Sequence, residues 1–139
     1  MSKDITKTDL VAFRNRLPSD TAFILATWLR GLRFGNSWYK LIDSQVYFAV
    51  YHAVLESILS QEKTVIKIAC LQDDPEVILG FSAYTGNRLH WVYVKQAWRN
   101  LGIARKLVPS TTDTVSHLTE VGRIILIRKK LKFNPFMLF

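Results

Sequence analysis

The sequence holds one cysteine, four prolines and six glycines in 139 residues. A lone thiol, Cys70, excludes an intrachain disulfide and any zinc site built on cysteines. Its setting, VIKIACL, is apolar, and a thiol there reads as buried and inert. The three histidines, His52, His90 and His117, show no HExxH or comparable ligand spacing, so no metal is expected. No apolar run reaches the about 18 residues that a membrane-spanning helix needs. The first ten residues, MSKDITKTDL, lack the hydrophobic stretch of a secretory signal. The expectation is a soluble, cytoplasmic protein with no membrane partner. Acidic residues are also scarce, eleven against nineteen basic ones. None falls between Glu76 and Asp113.

What is present points to a folded chain. Residues are 49% hydrophobic and 12% aromatic, enough for one domain over 1–139 with its own core. The net charge is +8, and the excess is uneven. Lys95, Arg99, Arg105, Lys106, Arg123, Arg128, Lys129, Lys130 and Lys132 face only Asp113 and Glu120 in the same stretch. The C-terminal third either meets an anionic partner or presents a well-solvated surface.

Periodicity sets the element order. Leu10 to Leu17 alternates as a first strand closed by Pro18, and Ser19 or Asp20 offers a cap to a helix. Ile24, Leu25, Trp28, Leu29 and Leu32 form a helical stripe ending near Gly35. Asp43 or Ser44 caps a second helix to about Ser60, with Val46, Val50, Ala53 and Val54 at helical spacing. Then the period changes. Thr64–Leu71, Val77–Tyr84 and Leu89–Lys95 are β-rich runs separated by the turns Asp73–Glu76 and Thr85–Arg88, which predicts an antiparallel meander. A helix over Gly102 to about Val108 stops at Pro109, and Ile124–Ile127 reads as a last strand. The order β-α-α-β-β-β-α-β predicts an α+β fold, a mostly antiparallel twisted sheet flanked by helices.

One segment carries chemistry. Arg99-Asn100-Leu101-Gly102-Ile103-Ala104 follows a strand and opens a helix. Amides in a helix's first turn lack intrahelical partners and carry partial positive charge. Small residues there let a phosphate approach the main chain. Arg99, with Arg105 or Lys106, adds side-chain charge. The bland reading is an ordinary strand–helix connection with Gly102 in a tight turn. Neither GxxxxGK[ST] nor a GxGxxG after a strand occurs, which excludes P-loop and Rossmann readings.

The run Val94-Lys95-Gln96-Ala97-Trp98-Arg99-Asn100-Leu101-Gly102-Ile103-Ala104 resembles the strand–turn–helix motif of the GNAT superfamily of acetyl-CoA-dependent N-acetyltransferases. Gln96 stands where proline is frequent in that motif. The order of elements from about Leu10 to Ile127 also resembles that family, and the compact length is similar to small GNAT-like proteins of tailed phages. The resemblance implies acetyl-CoA as co-substrate. Main-chain groups of Val92 and Val94 would pair with its pantetheine amides. The amides of Arg99, Asn100, Leu101, Gly102, Ile103 and Ala104, beside Arg105, would hold the pyrophosphate. The thioester would lie near the middle of strand Leu89–Lys95, where the family's sheet splays.

The chemistry departs from that pattern. A lysine amine with a pKa of about 10.4 is neutral roughly once in 2,500 at pH 7, so a lysine acceptor calls for a base. The family's glutamate has no counterpart here. His90 is the candidate substitute, and alternation places it on one face with Val92 and Val94. The family's acid is a tyrosine beyond its fifth strand, but no tyrosine follows Tyr93. Tyr93 or Tyr84 is the candidate in its place. Relative to the family the C-terminus is truncated, and the apolar tail (Phe133, Phe136, Met137, Leu138, Phe139) packs back on the sheet or meets a second subunit. Trp38 and Tyr39, with Trp28, Tyr47 and Tyr51, are candidates for an acceptor pocket, whereas His52 and His117 read as surface or helix residues. Three functions follow: direct acetyl transfer to an amine or protein acceptor, an inactive GNAT-like binding module, or nucleic-acid binding through the basic surface. The chain is expected to be a monomer or a homodimer.

Overall fold

The structure, a computed structural model, describes residues 6–139. The first half of the N-terminal stretch read above for a signal thus lies outside the described residues. A 3-10 turn at Lys7–Leu10 leads into strand β1 (Val11–Asn15), and a second at Pro18–Asp20 runs into helix α1 (Thr21–Phe34). Asp20 does not cap α1 with its side chain. Its carboxylate instead accepts from the Leu17 amide at 2.7 Å and takes both terminal nitrogens of Arg14, at 2.7 and 3.0 Å. The part-buried pair fixes β1 to the start of α1.

Helix α2 (Ser44–Leu59) begins where expected. Asp43 Oδ1 accepts from the amides of Gln45 and Val46, satisfying donors the helix leaves free. Its buried stripe is rotated from the predicted one. Val46 and Val50 are exposed, while Tyr47, Leu55, Ile58 and Leu59 are buried. The aromatic at position 47 decides this, because its hydroxyl donates to the Leu29 carbonyl of α1 at 2.6 Å. Burying that ring with its hydroxyl satisfied outweighs burying two valines.

Strands β2 (Val65–Leu71), β3 (Ile78–Thr85) and β4 (Arg88–Val94) form the predicted meander, and β1 pairs antiparallel with β2. Helix α3 (Ile103–Leu107) ends at Val108, before Pro109. The C-terminal part departs from expectation. Ile124–Ile127 is not a strand but lies within helix α4 (Glu120–Arg128). A short apolar run fits either state. Here Thr119 Oγ1 accepts from the Gly122 amide, and Glu120 sits in the first turn, both signals of a helix start. The strands are instead the brief β5 (Thr114–Val115) and β6 (Lys132–Phe133), each parallel to its neighbour. The six-stranded sheet runs β1-β2-β3-β4-β5-β6.

Both faces of the meander are covered. Helices α1 and α2 pack on one face over Ile66, Ile68, Cys70, Phe81 and Ala83, while α3 packs on the other through Ile103 and Leu107 over Ala69, Leu79 and Val94. That double cover explains why β2 and β3 read as near-continuous apolar runs. Leu138 folds back against the first cluster, but Phe136 and Phe139 stay exposed. No helix among the described residues is long and apolar enough to cross a membrane.

Candidate active site

Strand β4 is the organising element, and one edge of it is open. Its pairing with β5 covers Arg88 and Leu89, so among the described residues no strand lies on that side from His90 to Val94. The Lys95 amide donates to the Leu79 carbonyl of β3. Alternation then turns the main-chain groups of Trp91 and Tyr93 towards β3, and those of Val92 and Val94 towards the open edge. The Val94 carbonyl is already taken, since Arg99 Nε donates to it at 2.9 Å. Arg99 therefore braces the turn after β4 as well as charging it.

Beyond a 3-10 turn at Gln96–Trp98 the chain enters the segment singled out from sequence. Asn100 and Gly102 have positive φ, 65° and 81°. Gly102 occupies the N-cap of α3, and a Cβ built there would meet nothing within 4 Å. Backbone conformation, not crowding, therefore demands glycine. Among the described residues, none of the successive amides of Asn100, Leu101, Gly102, Ile103, Ala104 and Arg105 donates to an acceptor within the chain. Alternating handedness along such a run makes a concave set of N–H groups suited to an anion. Ile103 is buried in the core, whereas Gly102, Ala104, Arg105 and Lys106 are exposed.

His90 lies elsewhere than strict alternation predicts. Ala83 pairs with Trp91 and Tyr84 with Leu89, which leaves His90 as the extra residue of a β-bulge. The bulge carries it away from the face of Val92 and Val94. Its exposure is 1%, with Nε2 2.9 Å from Thr85 Oγ1 and Nδ1 2.6 Å from Ser116 Oγ. Burial, reinforced by the charge of Arg88, lowers its pKa to about 4. Both ring nitrogens are occupied in this arrangement. Tyr93 packs among Phe23 and Phe81 under α1, and Tyr84 is half-buried at the far end of β3.

His117 corrects the surface assignment made from sequence. It is buried, and burial with the nearby His90 lowers its pKa to about 3. Its Nδ1 lies 2.9 Å from Ser116 Oγ, and its ring meets Trp28 and Tyr51 edge-on at 5.3 and 5.9 Å. Trp28 stacks on Trp91 of β4 at 6.0 Å. The fork between β4 and β5 is thus lined at its base by Trp91, His117 and Trp28. Trp38 and Tyr39 stack on each other at 3.9 Å, and Tyr39 reaches Tyr51. Aromatic rings therefore run from the exposed Trp38 to buried Trp28, joining the residues proposed from sequence. Two open grooves of about 500 and 570 Å³ lie around α1 and α2 and include no residue of the 92–105 segment.

The sequence matches no protein-family model and no curated protein. The fold does have known neighbours. A predicted acetyltransferase of Clostridium acetobutylicum, crystallised with acetyl-CoA, aligns over 91% of this chain and 93% of its own, with TM-score 0.61 and 11% identity. A proposed GNAT family acetyltransferase of Staphylococcus aureus aligns over 68% of this chain and 82% of its own, with TM-score 0.51 and 16% identity. Against apo YjaB of Escherichia coli (TM-score 0.48, 15% identity) the chain spans 61% of that protein's length. At such identities the likeness is one of architecture, and the architecture is that of the GNAT acetyltransferases.

Proposed function

We propose that the protein binds acetyl-CoA along the open edge of β4 and transfers its acetyl group directly to an amine. The observation carrying this is the run of unpartnered amides from Asn100 to Arg105, directly beyond an edge that offers the Val92 groups and the Val94 amide. Pantetheine amides would extend the sheet by pairing with Val92 and Val94. The pyrophosphate would rest on the amides of the loop, with Arg105 and Lys106 supplying charge. The Arg99 amide, expected from sequence to join the cradle, is taken by the Gln96 carbonyl and its Nε by that of Val94, so Arg99 contributes only its remaining guanidinium N–H groups. The thioester would then lie near the fork, facing the aromatic path that ends at His117. Cys70 is buried in β2 with its thiol beside the Ala12 carbonyl of β1, which favours transfer without an enzyme-bound acyl intermediate. A small primary amine that fits between aromatic rings is the acceptor this lining favours.

Acetyl-CoA at about 100 times its Kd should stabilise the protein by roughly 2.7 kcal/mol, a shift of several degrees in melting temperature. Gly102→Glu should abolish the shift by setting a carboxylate in the cradle. An unchanged melting temperature at saturating acetyl-CoA overturns the reading. The burial of His90 and the lack of a nearby carboxylate favour a second possibility, a module that keeps the groove without turnover. Consumption of acetyl-CoA with a panel of amines separates the two. Nucleic-acid binding has only the basic surface in its support. Titration of a DNA duplex at low salt tests it, and no binding there removes it.

A further inference from the structure

The hydrogen bonds around His90 do not close on themselves. Thr64 Oγ1 lies 3.1 Å from Thr85 Oγ1, which lies 2.9 Å from His90 Nε2. His90 Nδ1 is 2.6 Å from Ser116 Oγ, and that oxygen is 2.9 Å from His117 Nδ1. The outer end, Thr64, is partly exposed just before β2. At the inner end, His117 Nε2 is buried with no partner among the described residues. A buried polar atom left unmatched costs about 1–3 kcal/mol, which a purely structural network would avoid. The indole N–H groups of Trp28 and Trp91 are also buried without acceptors, and the Trp28 ring is the one that abuts His117. Besides Arg33 Nη1 and Thr112 Oγ1, the buried side-chain atoms without a partner among the described residues thus belong to one set of touching rings, Trp91, Trp28 and His117, beside the point where β4 and β5 part. The bulge at His90 is what brings its ring between Thr85 and Ser116.

We propose that Thr64, Thr85, His90, Ser116 and His117 form a proton relay whose inner terminus, His117 Nε2, covered in this closed arrangement, takes the proton that the acceptor amine must lose once the fork between β4 and β5 opens to admit it. The proposal rests on the acyl-transfer reading for the identity of that amine. The protons balance along the chain. At the start His117 Nδ1–H donates to Ser116, Ser116 O–H to His90 Nδ1, His90 Nε2–H to Thr85, and Thr85 O–H to Thr64, leaving a lone pair on His117 Nε2. When an amine N–H bond breaks and its proton joins Nε2, each member passes its own proton outward. Thr64 then releases one to water. Every member remains neutral, with donor and acceptor roles reversed. Run backwards, the same chain takes a proton from water at Thr64 and delivers one from Nε2 to the departing thiolate. Nothing is oxidised or reduced. The charged or titratable neighbours are Arg88 beside His90 and Tyr51 against His117. Arg88 opposes a resting imidazolium and so favours this neutral exchange.

With three histidines in the sequence, nitrogen NMR of histidine-labelled full-length protein resolves the chain, and His52→Ala assigns the remaining ring. The expected result is that Thr85→Val, which keeps the side-chain shape but touches no atom of His117, shifts the His117 ring nitrogens towards the other tautomer. Thr85→Ser should restore them, a rescue that a packing effect would not give. Ser116→Ala should make His117 indifferent to Thr85→Val. Unchanged His117 nitrogens in Thr85→Val, or a His117 that titrates with an ordinary pKa, overturns the relay. The measurement uses no cofactor. If acetyl-CoA fails to bind, the acyl-transfer reading falls while the coupling is still decided. If coupling is absent and acetyl-CoA binds, only the relay falls.

Discussion

Two side chains set the pH response of the molecule. His90 and His117 have folded pKa values lowered from 6.5 to about 4 and about 3, chiefly by burial. Below pH 6.5 the unfolded chain therefore binds more protons than the folded one. The stability contributed by keeping them neutral is complete above that pH and is lost as pH falls towards the folded values. Urea unfolding between pH 6.5 and 5 should lose roughly 1.4 kcal/mol per pH unit for each histidine once the unfolded imidazoles are charged. His90→Gln should flatten this slope by about half, and an unchanged slope would place the response elsewhere. The depressed carboxylate Asp20 acts below this window, because its stabilising pair with Arg14 is lost only as pH falls beneath the normal carboxylate range. The loop around Gly102 was legible in the sequence, because a glycine between a strand and a helix is a local signal. His117 was not. Its place depends on β5 lying parallel to β4, a pairing of two residues on each strand that leaves no periodic trace.

At the scale of elements, the approach of β3 to β4 is tight. A Cβ added at Gly80 would run into the Tyr93 carbonyl and the Val94 Cα. Gly80→Ala should cost about 1–3 kcal/mol and weaken acetyl-CoA binding together with stability, because the displaced strand is the one whose outer edge the pantetheine would use. A variant destabilised to the same degree at a distance, such as Asp43→Ala at the α2 cap with its cost of about 1 kcal/mol, should lower the melting temperature without changing the ligand-induced shift. Measuring both with and without acetyl-CoA tells a site effect from a fold effect. The meander and both long helices could be read from hydrophobic period alone. The face of α2 could not, since tertiary contact with α1 through Tyr47 chose it, nor could the helical state of Ile124–Ile127, which capping decided.

The whole molecule divides into a thickly packed meander and a lightly packed stretch from α4 to β6. Val121, Ile124, Ile125 and Ile127 of α4 are more than half exposed, so Ile124→Glu and Ile127→Glu should each change unfolding free energy by no more than about 0.5 kcal/mol. A larger loss in chemical denaturation would mean that this face is covered in solution. Strands β5 and β6 meet the sheet through two residue pairs each. Further ties concentrate at the ends of this stretch: Ser116 with His90, His117 against Trp28 and Tyr51, the Asn36 side chain donating to the Leu118 carbonyl, the Glu120 amide to the Gly35 carbonyl, and Gln61 to the Leu138 carbonyl. Such a segment opens locally at a fraction of the global unfolding free energy. Deuterium should therefore enter the amides of 121–133 well before those of Ile68 or Phe81, and a bulky guest could prise the fork apart by borrowing that looseness, with the meander acting as a fixed anvil beneath it.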